Sequence, residues 1–255
     1  MEAAAHTLVT GASSGIGRTT AIRLSSNRRM ILHGRDACRL AETRQMCSEP
    51  DQHTIWLTDF SQPEKLTESL ALLLAEAGRK VEAFVHCAGT VTVLPARAND
   101  YRTVQDTMSV NFFAAAEIVR LLLRKSVNGI NSLAAIVFVS SIFSRFGARG
   151  HSAYCASKAA LDGYMRALAV ELAPTVRVNS ILPGAVRTPM SKKAFQDSEV
   201  LAKLQAEYPL GIGEPEDIAD AVEYLLSGHS RWLTGQQIVI DGGRTVNLSH
   251  KQRER

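Results

Sequence analysis

Cysteine is scarce in this 255-residue chain and never closely paired. Cys38, Cys47, Cys87 and Cys155 include no C-x-x-C spacing. That excludes a disulfide framework and reads as reduced thiols in a cytoplasmic protein. The seven histidines are scattered with no H-E-x-x-H, so no metal site is expected. No apolar run approaches the ~18 residues of a membrane helix. Met1 to His6 lacks the basic-then-apolar order of a signal peptide, and none is expected. No basic segment is interleaved with aromatics, which argues against nucleic acid as a partner. Repeats, low-complexity linkers and a visible domain boundary are missing too, so one domain over 1–255 is expected. The polar end, 247–255, is expected to fray.

What is present is ordinary for a globular protein: 45% hydrophobic and 21% charged residues. The net charge of +4 is concentrated. The first 44 residues hold seven Arg, no Lys and three acids, a pattern for a solvated helix face or a phosphorylated ligand. Strand-like and helix-like stretches alternate. Strands are expected at His6–Thr10, Arg29–His33, Thr54–Leu57, Val81–His86, Ala134–Ser140, Arg177–Leu182 and Gln237–Ile240. Helices are expected at Gly15–Ser26, Ala37–Cys47, Glu64–Ala77, Tyr101–Arg124 and Ser152–Leu172. That alternation predicts an α/β fold with a parallel sheet covered by helices on both faces.

Between the first strand and first helix lies Thr10-Gly11-Ala12-Ser13-Ser14-Gly15-Ile16-Gly17. Gly11 permits a sharp turn, Gly15 lets backbone approach a pyrophosphate, and Gly17 lets the helix pack against the sheet. The helix N-terminus presents free N–H groups to the anion. An acid after the second strand would bind the ribose of NAD; here the order is His33-Gly34-Arg35. The Arg35 guanidinium suits a 2′-phosphate, so NADP(H) is expected over NAD(H), with Arg39 and Arg18 as supporting candidates. Asp36 is the counterweight. Asp59 is either an adenine acceptor or a helix N-terminal acid.

Tyr154 and Lys158 stand four apart, about one helical turn. A nearby cation is expected to lower the phenol's pKa and arm it to exchange a proton with a substrate oxygen. Ser141 lies thirteen residues upstream.

With the glycine loop, Ser141, Tyr154 and Lys158 in this order, the chain resembles the short-chain dehydrogenases/reductases, compact branch, from about His6 to Gly243. Cys87-Ala88-Gly89, Val110-Asn111, Pro183 through Thr188 and Asp241-Gly242-Gly243 extend the likeness. The resemblance implies a doubly wound Rossmann-type sheet of seven strands in the order 3-2-1-4-5-6-7. It implies Tyr154 as acid/base, Lys158 tuning it and holding the nicotinamide ribose, and Ser141 on the substrate oxygen. Asn111 would hold a water in a proton relay. The loop carrying Pro183, Gly184, Val186 and Thr188 would orient the nicotinamide, and Ala88 and Gly89 would line the cofactor. A homotetramer or dimer through the two long helices is also implied.

The family's usual Asn-Asn-Ala-Gly reads His86-Cys87-Ala88-Gly89 here, so local hydrogen bonding must differ. Cys87 is read as a packing residue. Residues 190–212 are expected to form a substrate lid, with Lys192, Lys193 and Lys203 rimming Phe195, Leu201, Leu204 and Tyr208. The general likeness is to 3-oxoacyl-(acyl-carrier-protein) reductases. The regions that would dock a carrier read Asn131-Ser132-Leu133 and Pro174-Thr175, without a base, leaving Arg124, Lys125 and Arg166 for that partner. A sugar, steroid or small-ketone dehydrogenase is the alternative within the family. A silent NADP-binding sensor or scaffold is the alternative outside it.

Overall fold

Alternate residues along the inner strands feed two separate apolar layers, and that pattern sets the architecture of the computed structural model, which describes residues 5–76 and 78–247. The strands are β1 (His6–Thr10), β2 (Arg29–Gly34), β3 (Thr54–Leu57), β4 (Val81–His86), β5 (Ala135–Val139), β6 (Arg177–Pro183) and β7 (Gln237–Ile240). They form one sheet in the order β3-β2-β1-β4-β5-β6-β7, every pairing parallel. The helices are α1 (Gly15–Leu24), α2 (Ala37–Met46), α3 (Pro63–Ala75), α4 (Tyr101–Met108), α5 (Ala114–Leu122), α6 (Lys125–Asn128), α7 (Ser152–Glu171), α8 (Lys192–Gln196), α9 (Ser198–Glu207) and α10 (Pro215–Leu226).

On one face Leu8, Phe84, Ile136 and Val178 pack with Leu70 of α3, Ile118 of α5 and Leu161 of α7. On the other Val9, Leu32, Val85 and Ile181 pack with Ala21 of α1, Leu40 of α2 and Val222 of α10. Each leucine buried in this way stabilises the fold by roughly 2 kcal/mol. Central strands without a polar face fit a parallel sheet sandwiched by helices. The order reverses between β1 and β4, which leaves a crevice at their C-terminal ends where ligands of such sheets bind.

Three expectations are corrected. The stretch 101–124 is not one regular helix. A π turn, Ser109–Phe113, separates α4 from α5, and the helical run ends at Leu122. The amphipathic α10 was missed, although Pro215 at its start and Asp217, whose Oδ2 accepts from Glu214 N, mark an N-terminus. Asn247 is not frayed, because its amide donates to the Glu207 carbonyl; the rest of the expected tail lies outside the described residues.

Candidate active site

The phosphate loop is held from below by a histidine. The Gly11 N–H donates to His33 Nδ1 at 3.4 Å, so His33 Nε2 carries the hydrogen and donates to the Thr58 carbonyl at 3.1 Å. The ring stacks on Phe60 at 3.9 Å. Burial pushes its pKa down to about 3, so it stays neutral and keeps this acceptor.

The glycines fit a dinucleotide cradle. Gly11 has φ +69°, and a Cβ there would lie 2.8 Å from Ala88 N. At Gly17 a Cβ would lie 2.3 Å from the Gly11 carbonyl oxygen. A Cβ at Gly15, which has φ +51°, would lie 3.2 Å from the Thr188 side chain, so the phosphate loop and the Pro183–Thr188 loop form opposite lips. Ser13 and Ile16 lie within the cradle, and Ser14 is the N-cap of α1. Gly17→Ala is expected to cost about 2–3 kcal/mol, because the methyl meets backbone that cannot move aside. Urea unfolding reads this, and a midpoint equal to the wild type's would refute the close-packing argument.

Side chains after β2 divide their tasks. Asp36 caps α2, its Oδ1 accepting from Arg39 N at 3.0 Å. Arg35 makes no hydrogen bond or ion pair among the described residues and is exposed. Arg18 Nη2 donates to the Ser13 and Arg39 carbonyls and to Glu42. Asp59 closes a turn by accepting from Ser61 N, and that bond holds its carboxyl below the usual range.

His86 supplies the tie that the sequence lacked. Thr10 Oγ1 accepts from Ala88 N at 3.2 Å and shares a hydrogen bond with His86 Nδ1 at 2.9 Å. This links β1 to the loop after β4. Burial pushes His86 down to about 3 and the Cys87 thiol up to about 12, which makes Cys87 an inert packing residue. Gly89 brings the next shell together: a Cβ there would lie within 3.9 Å of Asn111 Oδ1, Lys158 Nζ and Met190.

Asn111 sits in the π turn, fully buried. Its Oδ1 accepts from Thr90 N at 2.7 Å, while Nδ2 donates to the Thr90 carbonyl and to Ser157 Oγ. Its side chain is therefore a clamp between the loop after β4 and α7. An inserted residue in a helix re-aims the side chains beside it, and such turns occur often at functional sites.

Tyr154 and Lys158 rise from α7, which is pinned near its start. Leu94 N donates to the Gly150 carbonyl at 2.9 Å, and Asn99 Nδ2 to Ser152 Oγ at 2.8 Å. The Ser141 hydroxyl lies near the Tyr154 phenol and favours its ionised form. Lys158 Nζ donates to the Val139 carbonyl at 2.9 Å and lies 5.8 Å from the Tyr154 ring centre. The expected lowering of the phenol's pKa is not found. Burial outweighs the Ser141 hydroxyl and pushes Tyr154 up to about 12, and burial pushes Lys158 down to about 8.

The lid region comprises α8 and α9. Tyr208 is buried, and its hydroxyl accepts from Ala185 N at 2.9 Å, fixing the loop that carries Val186 and Thr188. Gly184 is packed so closely that a Cβ would lie 2.7 Å from the Tyr208 ring. Arg187 stacks over Phe195. The side chains of Lys193 and Lys203 lie outside the described residues. His33, Thr90, Ser157 and Tyr208 were not singled out as supports in the sequence, since each acts through a partner distant in the chain.

Among the described residues no group of acidic, histidine or cysteine side chains is arranged to hold a metal, and no helix is long and apolar enough to cross a membrane.

A family model described as enoyl-(acyl carrier protein) reductase matches residues 11–245. A (3R)-3-hydroxyacyl-CoA dehydrogenase of Canis lupus familiaris is 31% identical, covering 92% of this chain and 94% of its own. A D-erythrulose reductase of Gallus gallus is 30% identical, covering 94% and 95%. A 4-hydroxyisoleucine dehydrogenase solved in complex with NADH superposes with a TM-score of 0.87 at 26% identity, covering 95% and 99%. Together with the seven-stranded topology, the match across nearly the whole length identifies the chain as an oxidoreductase belonging to the short-chain dehydrogenase/reductase family.

Proposed function

We propose that the protein is an NADP(H)-dependent carbonyl reductase that interconverts a ketone and a secondary alcohol, with Tyr154 as the acid/base. One observation carries the cofactor choice. Just after β2, Arg35 makes no hydrogen bond or ion pair among the described residues, while Asp36, the acid that would favour NAD, is occupied in capping α2. The loop from Gly11 to Gly17 would hold the pyrophosphate, Arg35 the 2′-phosphate, Lys158 the ribose hydroxyls and Thr188 the carboxamide. When bound, the nicotinamide supplies or accepts the hydride.

The chain's own part is proton transfer and orientation. The Ser141 hydroxyl is close enough to act on the Tyr154 phenol, and one carbonyl oxygen would receive a hydrogen bond from each. Tyr154 gives its phenolic proton to that oxygen. With burial holding the phenol protonated up to about 12, the chain by itself presents a proton donor, which suits reduction. The Lys158 ammonium, held by the Val139 carbonyl, stabilises the phenolate left behind.

NADPH is expected to raise the melting temperature more than NADH at the same concentration, since a ligand bound by the folded state stabilises it more the tighter it binds. Arg35→Leu is expected to weaken NADPH binding about 10- to 100-fold, the worth of a charge-assisted hydrogen bond, and to leave NADH little changed. Equal shifts with the two nucleotides in the wild type would overturn the NADP reading. Its substrate class within the family rests on a ketone panel, with acyl thioesters and sugars as its two arms.

A further inference from the structure

Among the described residues, one carboxylate and one ammonium are fully buried, and they stand four apart on the same helix. Asp162 is 1% exposed and Lys158 3%; every other described Asp, Glu, Lys or Arg side chain reaches solvent. Residues at this spacing are neighbours on one helix face, with Cβ atoms roughly 6 Å apart. Side chains on a helix lean toward its N-terminus, so Asp162 lies beneath the Lys158 stem. Neither Asp162 oxygen has a hydrogen-bond partner. A buried carboxylate left without hydrogen bonds is costly unless another charge compensates it.

We propose that Asp162 is a positioning residue for the reaction: the buried counter-charge that keeps Lys158 an ammonium beside Tyr154. The idea rests on the reductase reading only for its effect on turnover. Lys158 is faced by Tyr154 and Asp162 on its own helix and by His86 and Cys87 at the end of β4. His86 is neutral above about 3 and Cys87 is protonated up to about 12, so neither brings charge at working pH. Burial opposes the Lys158 charge, and Asp162 is the foremost group acting to restore it. Without Asp162 the ammonium would lose its proton at a lower pH, and the phenolate would lose its stabiliser there.

Two readings test this. In the protein without cofactor or substrate, carbon-13 NMR of labelled lysine follows Lys158 through its titration. In Asp162→Asn that titration is expected about one unit lower, the size of effect an opposite charge close by exerts. Asp162→Glu, which keeps the charge, is expected to restore it. An unchanged Lys158 titration in Asp162→Asn overturns the proposal. In turnover, the high-pH limb of kcat should move down by the same amount in Asp162→Asn, with KM for the ketone held within about twofold; a fixed limb or a loss confined to KM overturns it. A coupling seen by NMR in a protein that reduces no ketone would refute the reductase reading and leave the counter-charge standing. Should Asp162→Asn not fold, the Asp162 carboxyl resonance of the wild type decides: ionised at neutral pH supports the proposal, protonated overturns it.

Discussion

Tyr154→Phe is expected to lower the turnover of NADPH-dependent ketone reduction about 10³-fold, the usual worth of a positioned general acid. The substitution removes one oxygen and leaves the ring contacts with Phe143 and His151, which hold the aromatic plane. NADPH affinity should therefore survive nearly intact, since the phosphate loop and Arg35 are untouched. The loss belongs in kcat, because the proton is passed in the transition state. Steady-state NADPH oxidation gives the rates, and cofactor fluorescence gives the affinity. Undiminished turnover would remove Tyr154 from the mechanism. An equal loss of cofactor binding would mean that the hydroxyl serves the binding site instead of the reaction.

Acidification is expected to destabilise the fold steeply, by roughly 4 kcal/mol between pH 7.5 and pH 5 if both buried histidines respond in full. His33 and His86 are each pushed down to about 3 from an ordinary value of 6.5. Between those values the unfolded chain binds protons that the folded chain refuses. The stability they confer is complete above about 6.5 and is lost as pH falls toward 3. His86→Asn should remove about half of this slope, since an amide can still hydrogen-bond Thr10 without titrating. Urea unfolding at a series of pH values measures it. A stability that stays flat from pH 7.5 to 5 would refute the neutral buried pair.

Sequence legibility differed between backbone and side chains, for physical reasons. All seven strands were visible as short apolar runs, and β1, β3, β4 and β7 have the bounds expected. A strand buried on both faces leaves a local signature that needs no knowledge of its partners. The cradle at Gly11 and Gly17 was equally local, because a missing Cβ is written in the sequence. The π turn around Asn111 was hidden, since no residue type marks one extra residue in a helical turn. Arg18, Asp36 and Tyr208 were ambiguous for another reason: what each side chain does depends on a carbonyl or N–H that folding brings to it. The direction of the Tyr154 shift was set by burial outweighing the Ser141 hydroxyl, and the spacing of Tyr154 and Lys158 in a sequence reports neither.

The backbone hydrogen bond from Leu94 to Gly150 joins the segment after β4 to the segment that leads into Tyr154. A Cβ at Gly150 would also lie 2.9 Å from the Val93 side chain. These two stretches therefore vary as one unit. A change of size at 93 or 94 is felt at 150, one turn before Tyr154. Shifting the start of α7 would therefore take coordinated substitutions on both stretches, and a pair changed together should be tolerated where either change alone is not.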